Sequence, residues 1–207
     1  EMCHCKPSLV KSKESFFIFD DYKEIEVISA LNHFSLTPDT FAEHELGYKL
    51  ISYNAPVDEA NEELMLSVNK KFAVQFYYTF PKHFYQKIKA KKLPTKFNFS
   101  GEKFLNALTV KNHKEIHINL YHHQVEFFAF ENKKVVLYNN LDADSEVDFL
   151  YFIMFSLSKI NFGTAETHFH IYGETHENET FISELRKFVK NIKVHFDNAP
   201  KKNFVLS

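Results

Sequence analysis

The chain has few glycines. Only four occur among its 207 residues, and none stands beside another. The phosphate-cradling loops of Walker-type and dinucleotide-binding proteins need several glycines within one turn, because their backbone amides must come close to the ligand. The sequence therefore excludes these two common nucleotide-binding motifs.

Cysteine is scarce as well. Cys3 and Cys5 flank His4 near the start, and no other cysteine follows. Two cysteines this close do not readily form a disulfide, so the composition favours a reducing compartment and predicts a cytoplasmic protein. A Cys-His-Cys metal motif without ligands elsewhere is weak, and a frayed terminus is the simpler interpretation.

The sequence also lacks the charge pattern of a protein that binds nucleic acid or an acidic membrane. The formal net charge is −2, and Arg186 is the only arginine. Residues 82–96 mix lysines with aromatic residues, but a solvated amphipathic helix explains them better than nucleic-acid binding does.

The longest apolar run, residues 149–157, is far shorter than the ~18 residues of a membrane helix. We therefore expect no membrane insertion, and a deeply buried helix at this run. The opening residues lack the apolar segment of a signal peptide.

Apolar and polar residues alternate clearly in the second half. A period of two residues predicts strands, and a period near 3.6 predicts helices. Asn132 and Lys133 lie between two apolar runs and predict a tight hairpin turn. In chain order the predicted elements are strands at 115–121, 124–130 and 134–138, a helix from Asp144 or Ser145 to about Ile160, a strand at 167–172, a helix at 179–190 and a strand at 192–196.

This order, β-β-β-α-β-α-β, predicts an α/β fold. Three antiparallel strands followed by right-handed crossovers place the first strand at the centre of a mixed sheet. That is the ribonuclease H-like arrangement, the half-unit of the actin-like fold. We predict such a half over residues 111–207 and a first actin-like half over residues 1–110. In the first half we expect strands at 25–29, 63–68, 72–78 and 95–99 and helices at 38–46, 81–91 and 100–108.

Four segments carry a resemblance to a known family: NHFSLTPDTF (32–41), HINLYHHQVEFFAFENKKVVLYNN (117–140), DFLYFIMF (148–155) and HIYGETHENETFISELRKFVKNIKVHF (170–196). They resemble a family of uncharacterised Bacteroidota proteins, a domain of unknown function with an actin-like ATPase fold. The resemblance spans most of the chain and implies that fold. Members usually begin with a further strand hairpin, so we expect a first half that is shortened at its start.

The resemblance raises the possibility of ATP with Mg²⁺ as a cofactor. Actin-like ATPases hold phosphates on hairpins of Asp-x-Gly type, where glycine lets backbone amides approach. Here the corresponding hairpin begins at Asn119 and has neither residue, while the later turn pairs Gly173 with the repelling carboxylate of Glu174. Asn119 and Gly173 are therefore the candidate nucleotide contacts of a site that departs from this pattern.

Nuclease activity on this fold needs converging carboxylates, one of them on the central strand. Asn119 takes that place. The acidic residues instead cluster before and within a helix start, where capping explains them: Asp142, Asp144, Glu146 and Asp148. We therefore expect no nuclease.

Histidines are concentrated on one predicted sheet face. If the first strand lies beside the fourth, His117, His168 and His170 share that face, which both crossover helices leave uncovered. These three histidines are one candidate metal site. A half-solvated face or a contact with the first half is the simplest interpretation, and a partner-binding face is the intermediate one. That face comprises His117, Asn119, Tyr121, His168, His170 and Tyr172.

The function that fits these observations is that of a degenerate, non-catalytic actin-like protein without a cofactor, which acts as a cytoplasmic adaptor for a protein partner. Relatives of the fold include adaptors of pilus and secretion machines, so this expectation rests on analogy. The alternative is a nucleotide-binding ATPase with atypical phosphate contacts.

Overall fold

The computed structural model describes residues 23–111, 113–121, 124–142, 145–174 and 179–195. Two compact units divide them. The first contains the described residues up to Val68 together with Gln75–Glu102, and the second contains Asn69–Val74 and the described residues from Lys103 onward.

The first unit contains two small sheets. Strands β1 and β5 pair in parallel, and β2, β4 and β3 form a second sheet in that order. Its apolar core surrounds Phe99, whose ring lies 5.2 Å from the rings of both Phe76 and Tyr78. The elements are β1 (Ile25–Ser29), β2 (Phe34–Pro38), α1 (Gly47–Ser52), β3 (Glu62–Asn69), β4 (Val74–Pro81), α2 (Lys82–Ala90), β5 (Thr95–Phe99) and α3 (Ser100–Ala107), the last of which continues into the second unit.

One predicted helix of the first unit is wrong. Residues 38–46 are not helical at their start, because Pro38 ends strand β2 instead of opening a helix. Proline has no N–H to donate, so the end of a strand accommodates it as well as the first turn of a helix does. Helical structure begins only with the 3₁₀ turn His44–Leu46, which leads into α1. The strands predicted at 25–29 and 95–99 are confirmed residue for residue.

The second unit has the predicted strand order. The five-stranded sheet runs β10-β9-β6-β7-β8, so the first strand of the unit is central. Strand β6 pairs antiparallel with β7 and parallel with β9. The elements are β6 (Glu115–Tyr121), β7 (Gln124–Glu131), β8 (Lys134–Asp142), α4 (Glu146–Lys159), β9 (His168–Gly173), α5 (Glu179–Leu185) and β10 (Asn191–Val194). Asn132 and Lys133 both adopt positive φ, at 51° and 65°, as the tight hairpin turn requires.

Both crossover helices pack on one face of this sheet. Phe149, Ile153 and Leu157 of α4 join the apolar core that the alternate residues of β6, β7 and β9 form. Ser145 caps α4 by accepting a hydrogen bond from the Asp148 N–H at 3.2 Å; the other candidate cap, Asp144, and the predicted strand end Phe196 lie outside the described residues. Helix α5 ends at Leu185, five residues earlier than predicted.

The expectation that α4 is buried on most of its sides is wrong. Val147, Tyr151 and Phe155 are 74%, 60% and 48% exposed. The helix is apolar nearly all round, but its buried residues pack against the sheet and α5 on one side of it. Among the described residues no helix has the length and apolarity to span a membrane.

Gly173, at the end of β9, adopts φ +84°, where a Cβ atom would lie 2.2 Å from the carbonyl oxygen of Leu120. We expect Gly173→Ala to lower the free energy of unfolding by at least about 2 kcal/mol, because both the backbone conformation and the contact become strained. Gly163→Ala is the matched control, since its Cβ would meet only the Glu166 side chain at 3.6 Å. Urea unfolding of both variants checks this, and equal effects at the two positions would contradict it.

Candidate functional site

A cluster of polar side chains lies on the face of the central strand opposite α4 and α5. The alternation of β6 puts Glu115, His117 and Asn119 on this face, and all three are fully buried. The register sets His117 beside His170 and Asn119 beside Tyr172 on β9.

Hydrogen bonds and ring stacking join these residues into one network. His117 Nε2 lies 3.2 Å from Glu115 Oε2, and His117 Nδ1 lies 3.0 Å from the Tyr172 hydroxyl. The His117 and His170 rings stack 4.6 Å apart at 8°. His170 Nδ1 lies 3.0 Å from His195 Nε2, and the His195 ring stacks on Tyr172 at 4.4 Å. We call Glu115, His117, His170, Tyr172 and His195 the histidine–glutamate cluster.

Neither crossover helix covers this face, as predicted, but segments that precede the sheet do. Phe104 of α3 packs against Phe128 and Tyr172, with ring centroids 5.8 and 5.7 Å apart. Phe72, from the turn between β3 and β4, lies 5.4 Å from Phe130. Handedness rules locate only the crossover helices, whereas this cover comes from segments that precede the sheet in the chain.

Burial controls the protonation of the cluster. Burial, assisted by the neighbouring imidazole of His117, lowers the pKa of His170 to about 4. Burial likewise lowers the pKa of His117, although the Glu115 carboxylate opposes it. Burial alone would raise the pKa of Glu115, but the Lys111 N–H and the two imidazoles outweigh it, so that pKa is lowered. The cluster therefore contains a carboxylate beside two neutral imidazoles at neutral pH.

These states fix the direction of the hydrogen bonds. A carboxylate only accepts, so His117 carries its proton on Nε2 and donates to Glu115. His117 Nδ1 then accepts from the Tyr172 hydroxyl, whose pKa burial raises.

The predicted metal ligands are brought together only in part. Glu115, His117 and His170 place one ligand atom each within 4.8 Å of one another. His168 lies on the expected face of the sheet, but it is exposed. The centroid of its ring lies 4.3 Å from that of His113. Sequence reasoning missed Glu115, although that residue precedes His117 by two positions on the same strand and so shares its face. It also missed His195, which follows the last strand.

The candidate nucleotide contacts are neighbours. A Cβ atom on Gly173 would lie 2.6 Å from Asn119 Oδ1. Asn119 is fully buried, and its amide donates to Glu126 Oε2 at 3.2 Å, so it is not presented to a ligand in this arrangement. Glu126 also accepts from the Tyr138 hydroxyl at 2.8 Å.

The predicted partner-binding face is largely buried. His117 and Asn119 have no exposed surface, and His170 and Tyr172 are only partly exposed. Tyr121 is also partly exposed, and its hydroxyl lies 3.2 Å from the Asn140 amide nitrogen. Of the six residues, His168 alone is fully on the surface.

Residues 9–192 match the family described as "Protein of unknown function (DUF3822)". The chain belongs to this family. A solved structure from Bacteroides thetaiotaomicron, described as a protein with actin-like ATPase fold and unknown function, is 21% identical, with a TM-score of 0.76 over 88% of this chain and 72% of that one. The predicted resemblance and the actin-like fold are thereby confirmed.

A second similar structure is the PilM–PilN type IV pilus biogenesis complex. It is 9% identical, with a TM-score of 0.54 over 84% of this chain and 70% of the other. No curated protein matches the sequence.

We expect the stability of protein freed of metal ions by EDTA to fall as the pH drops from about 7 to about 5. An unfolded histidine has a pKa near 6.5. Because the pKa of folded His170 is lower, at about 4, the unfolded state takes up the proton first, and folding stability is lost as the pH falls through this window. The window lies above the range in which the depressed pKa of Glu115 matters.

Urea midpoints measured across this pH range check the expectation. His170→Asn should reduce the dependence, because it removes one titrating histidine, while His117 and His195, whose pKa values burial also lowers, remain. His168→Asn, the matched change at an exposed histidine of the same strand, should leave the dependence as it is in the wild type. An unchanged slope in His170→Asn would show that His170 is not the responsible group.

Proposed function

We propose that this protein is a non-catalytic member of the actin-like fold that acts by binding another protein, as an adaptor. One observation carries the proposal: an exposed apolar strip on α4, formed by Val147, Tyr151 and Phe155. We call it the α4 strip.

The α4 strip is continuous. Its residues are four positions apart, so they lie on one side of the helix, and the rings of Tyr151 and Phe155 stack 5.7 Å apart. The opposite side of α4 is fixed in the core through Phe149 and Ile153. Contiguous apolar patches on a protein surface mark sites of interaction more often than isolated apolar residues do.

A groove extends the strip toward the sheet. It has a volume of about 410 Å³ and lies between α4 and β8, the last strand in the order of the sheet. Apolar side chains dominate its lining, and Lys159 is the one charged residue among the described residues that line it: Leu137, Asn139, Leu141, Tyr151, Phe152, Phe155, Ser156, Lys159 and Ile160. Such a groove suits an apolar side chain of a protein partner, with the strip as the adjoining contact.

The central strand supports the non-catalytic part of the proposal. At the strand position where an Mg²⁺-binding acid would be needed, Asn119 is buried and bonded to Glu126. The fold neighbour PilM was solved in a complex with PilN, which supports an adaptor role by analogy. A cytoplasmic location and a protein partner are parts of the same proposal.

The α4 strip predicts which substitutions weaken binding of the protein partner. A photo-crosslinking residue at position 147 would first identify the partner in the source cells, and titration calorimetry would then measure its affinity. We expect Tyr151→Ser with Phe155→Ser to raise Kd at least about tenfold, because buried aromatic residues dominate such contacts.

The matched control makes the same two changes elsewhere. Tyr53 and Phe188 are 72% and 54% exposed and lie outside the strip, so Tyr53→Ser with Phe188→Ser should leave Kd unchanged. Equal loss of affinity in the two double variants would mean that the strip is not the binding surface.

The alternative function, an ATPase that binds Mg·ATP at Asn119 and Gly173, makes a different prediction. A ligand at about 100 times its Kd stabilises by roughly 2.7 kcal/mol, which raises Tm by several degrees. We expect no rise with Mg·ATP or Mg·ADP up to millimolar concentration. A rise that Asn119→Ala removes would replace the adaptor proposal with the ATPase.

A further inference from the structure

The ligand atoms of the histidine–glutamate cluster are spaced for a metal ion. Glu115 Oε2 lies 3.2 Å from His117 Nε2, and Glu115 Oε1 lies 3.7 Å from His170 Nε2. In a tetrahedral zinc site with bonds near 2.1 Å, neighbouring ligand atoms are about 3.4 Å apart. Both distances are near that value, and the three ligand atoms lie within 4.8 Å of one another, so rotation of the imidazoles would bring them into a site of this size.

Both imidazoles direct a nitrogen toward the same carboxylate. The Nε2 atoms of His117 and His170 face Glu115, and a metal site needs several nitrogen or oxygen atoms around one point. The two rings are nearly parallel, at 8°, so one ring must turn out of the stack for both lone pairs to point at one ion.

The second ring nitrogen, Nδ1, of both His117 and His170 already has a hydrogen-bond partner. Metal-binding histidines usually donate their other N–H to a fixed acceptor, which orients the ring. His117 Nδ1 is 3.0 Å from the Tyr172 hydroxyl oxygen, and His170 Nδ1 is 3.0 Å from His195 Nε2. Both partners can accept, so the outer shell of a metal site is present.

The carboxylate has an oxygen without a hydrogen bond. Glu115 Oε1 is buried and accepts none in the part of the chain that the structure describes, although His113 Nε2 lies 2.9 Å away outside hydrogen-bond geometry. A buried anionic oxygen in this condition is costly, and a cation would satisfy it.

We propose that Glu115, His117 and His170 bind one divalent transition-metal ion, with zinc as the ion that two imidazoles and a carboxylate suit. Binding moves the His117 proton from Nε2 to Nδ1, from which it is donated to Tyr172. The ion joins β6 to β9, the parallel pair at the centre of the sheet, so its role is structural. This site differs from the three histidines that the sequence predicted, because Glu115 replaces His168.

The test uses the complete chain, stripped with EDTA and loaded with Zn²⁺ or Co²⁺. We expect one ion per chain after gel filtration and a rise in Tm with Zn²⁺. His170→Ala and Glu115→Gln should each raise the Kd for Zn²⁺ at least about tenfold. His168→Ala is the matched control, a histidine of the same strand outside the three ligands, and should bind as the wild type does.

X-ray absorption at the zinc edge of the wild-type complex keeps the proposal testable where a variant fails to fold. Two imidazoles with oxygen ligands are expected. Fewer than two imidazoles, no stoichiometric ion in the wild type, or a loss of binding in His168→Ala as large as in His170→Ala would each overturn the proposal.

Discussion

The central position of β6 is the constraint on which the second unit depends. Strands pair with it on both edges, and its side chains from Glu115 to Leu120 are buried on both faces, so they must be satisfied by what packs above and below. One set of alternate residues is apolar and meets α4 and α5. The other set is polar and must find hydrogen bonds under Phe104 and Phe72, because a buried polar group without a partner is costly. The network of Glu115, His117 and Tyr172 is the result of that requirement.

Local patterns predicted most of the fold. Strict alternation located β6 to the residue, and the order of elements with right-handed crossovers then placed this strand at the centre of a mixed sheet. These predictions succeed because they depend on periodicity and chirality, which act over short stretches of chain. Pro38 shows the opposite case, since the same residue fits the end of a strand or the start of a helix and only the surrounding packing decides.

The sequence predicted which face of the sheet carries the candidate site, but not which residues form it. Alternation put His117, His168 and His170 together, and the register confirms that they share one side of the sheet. Whether a residue is buried there depends on what lies over it, and His168 lies beyond the cover while Glu115 lies beneath it. The exposure of Tyr151 has a similar cause. The sequence of a helix shows how many of its sides are apolar, but it does not show how many of those sides other elements cover.

The two edges of β6 are expected to pair at different times during folding, because one partner is near in the chain and the other is distant. Strands β6, β7 and β8 are joined by short connections, so they can form their antiparallel ladder from local contacts. Strand β9, which pairs with the other edge of β6, is about fifty residues away in the chain. Closing that loop costs conformational entropy before the contacts between the two strands can form. We therefore expect Glu115 and His117 to meet His170 after the β6–β7–β8 ladder has formed. Interactions made after the transition state affect the rate of unfolding far more than the rate of folding, so we expect this cluster to slow the opening of the sheet.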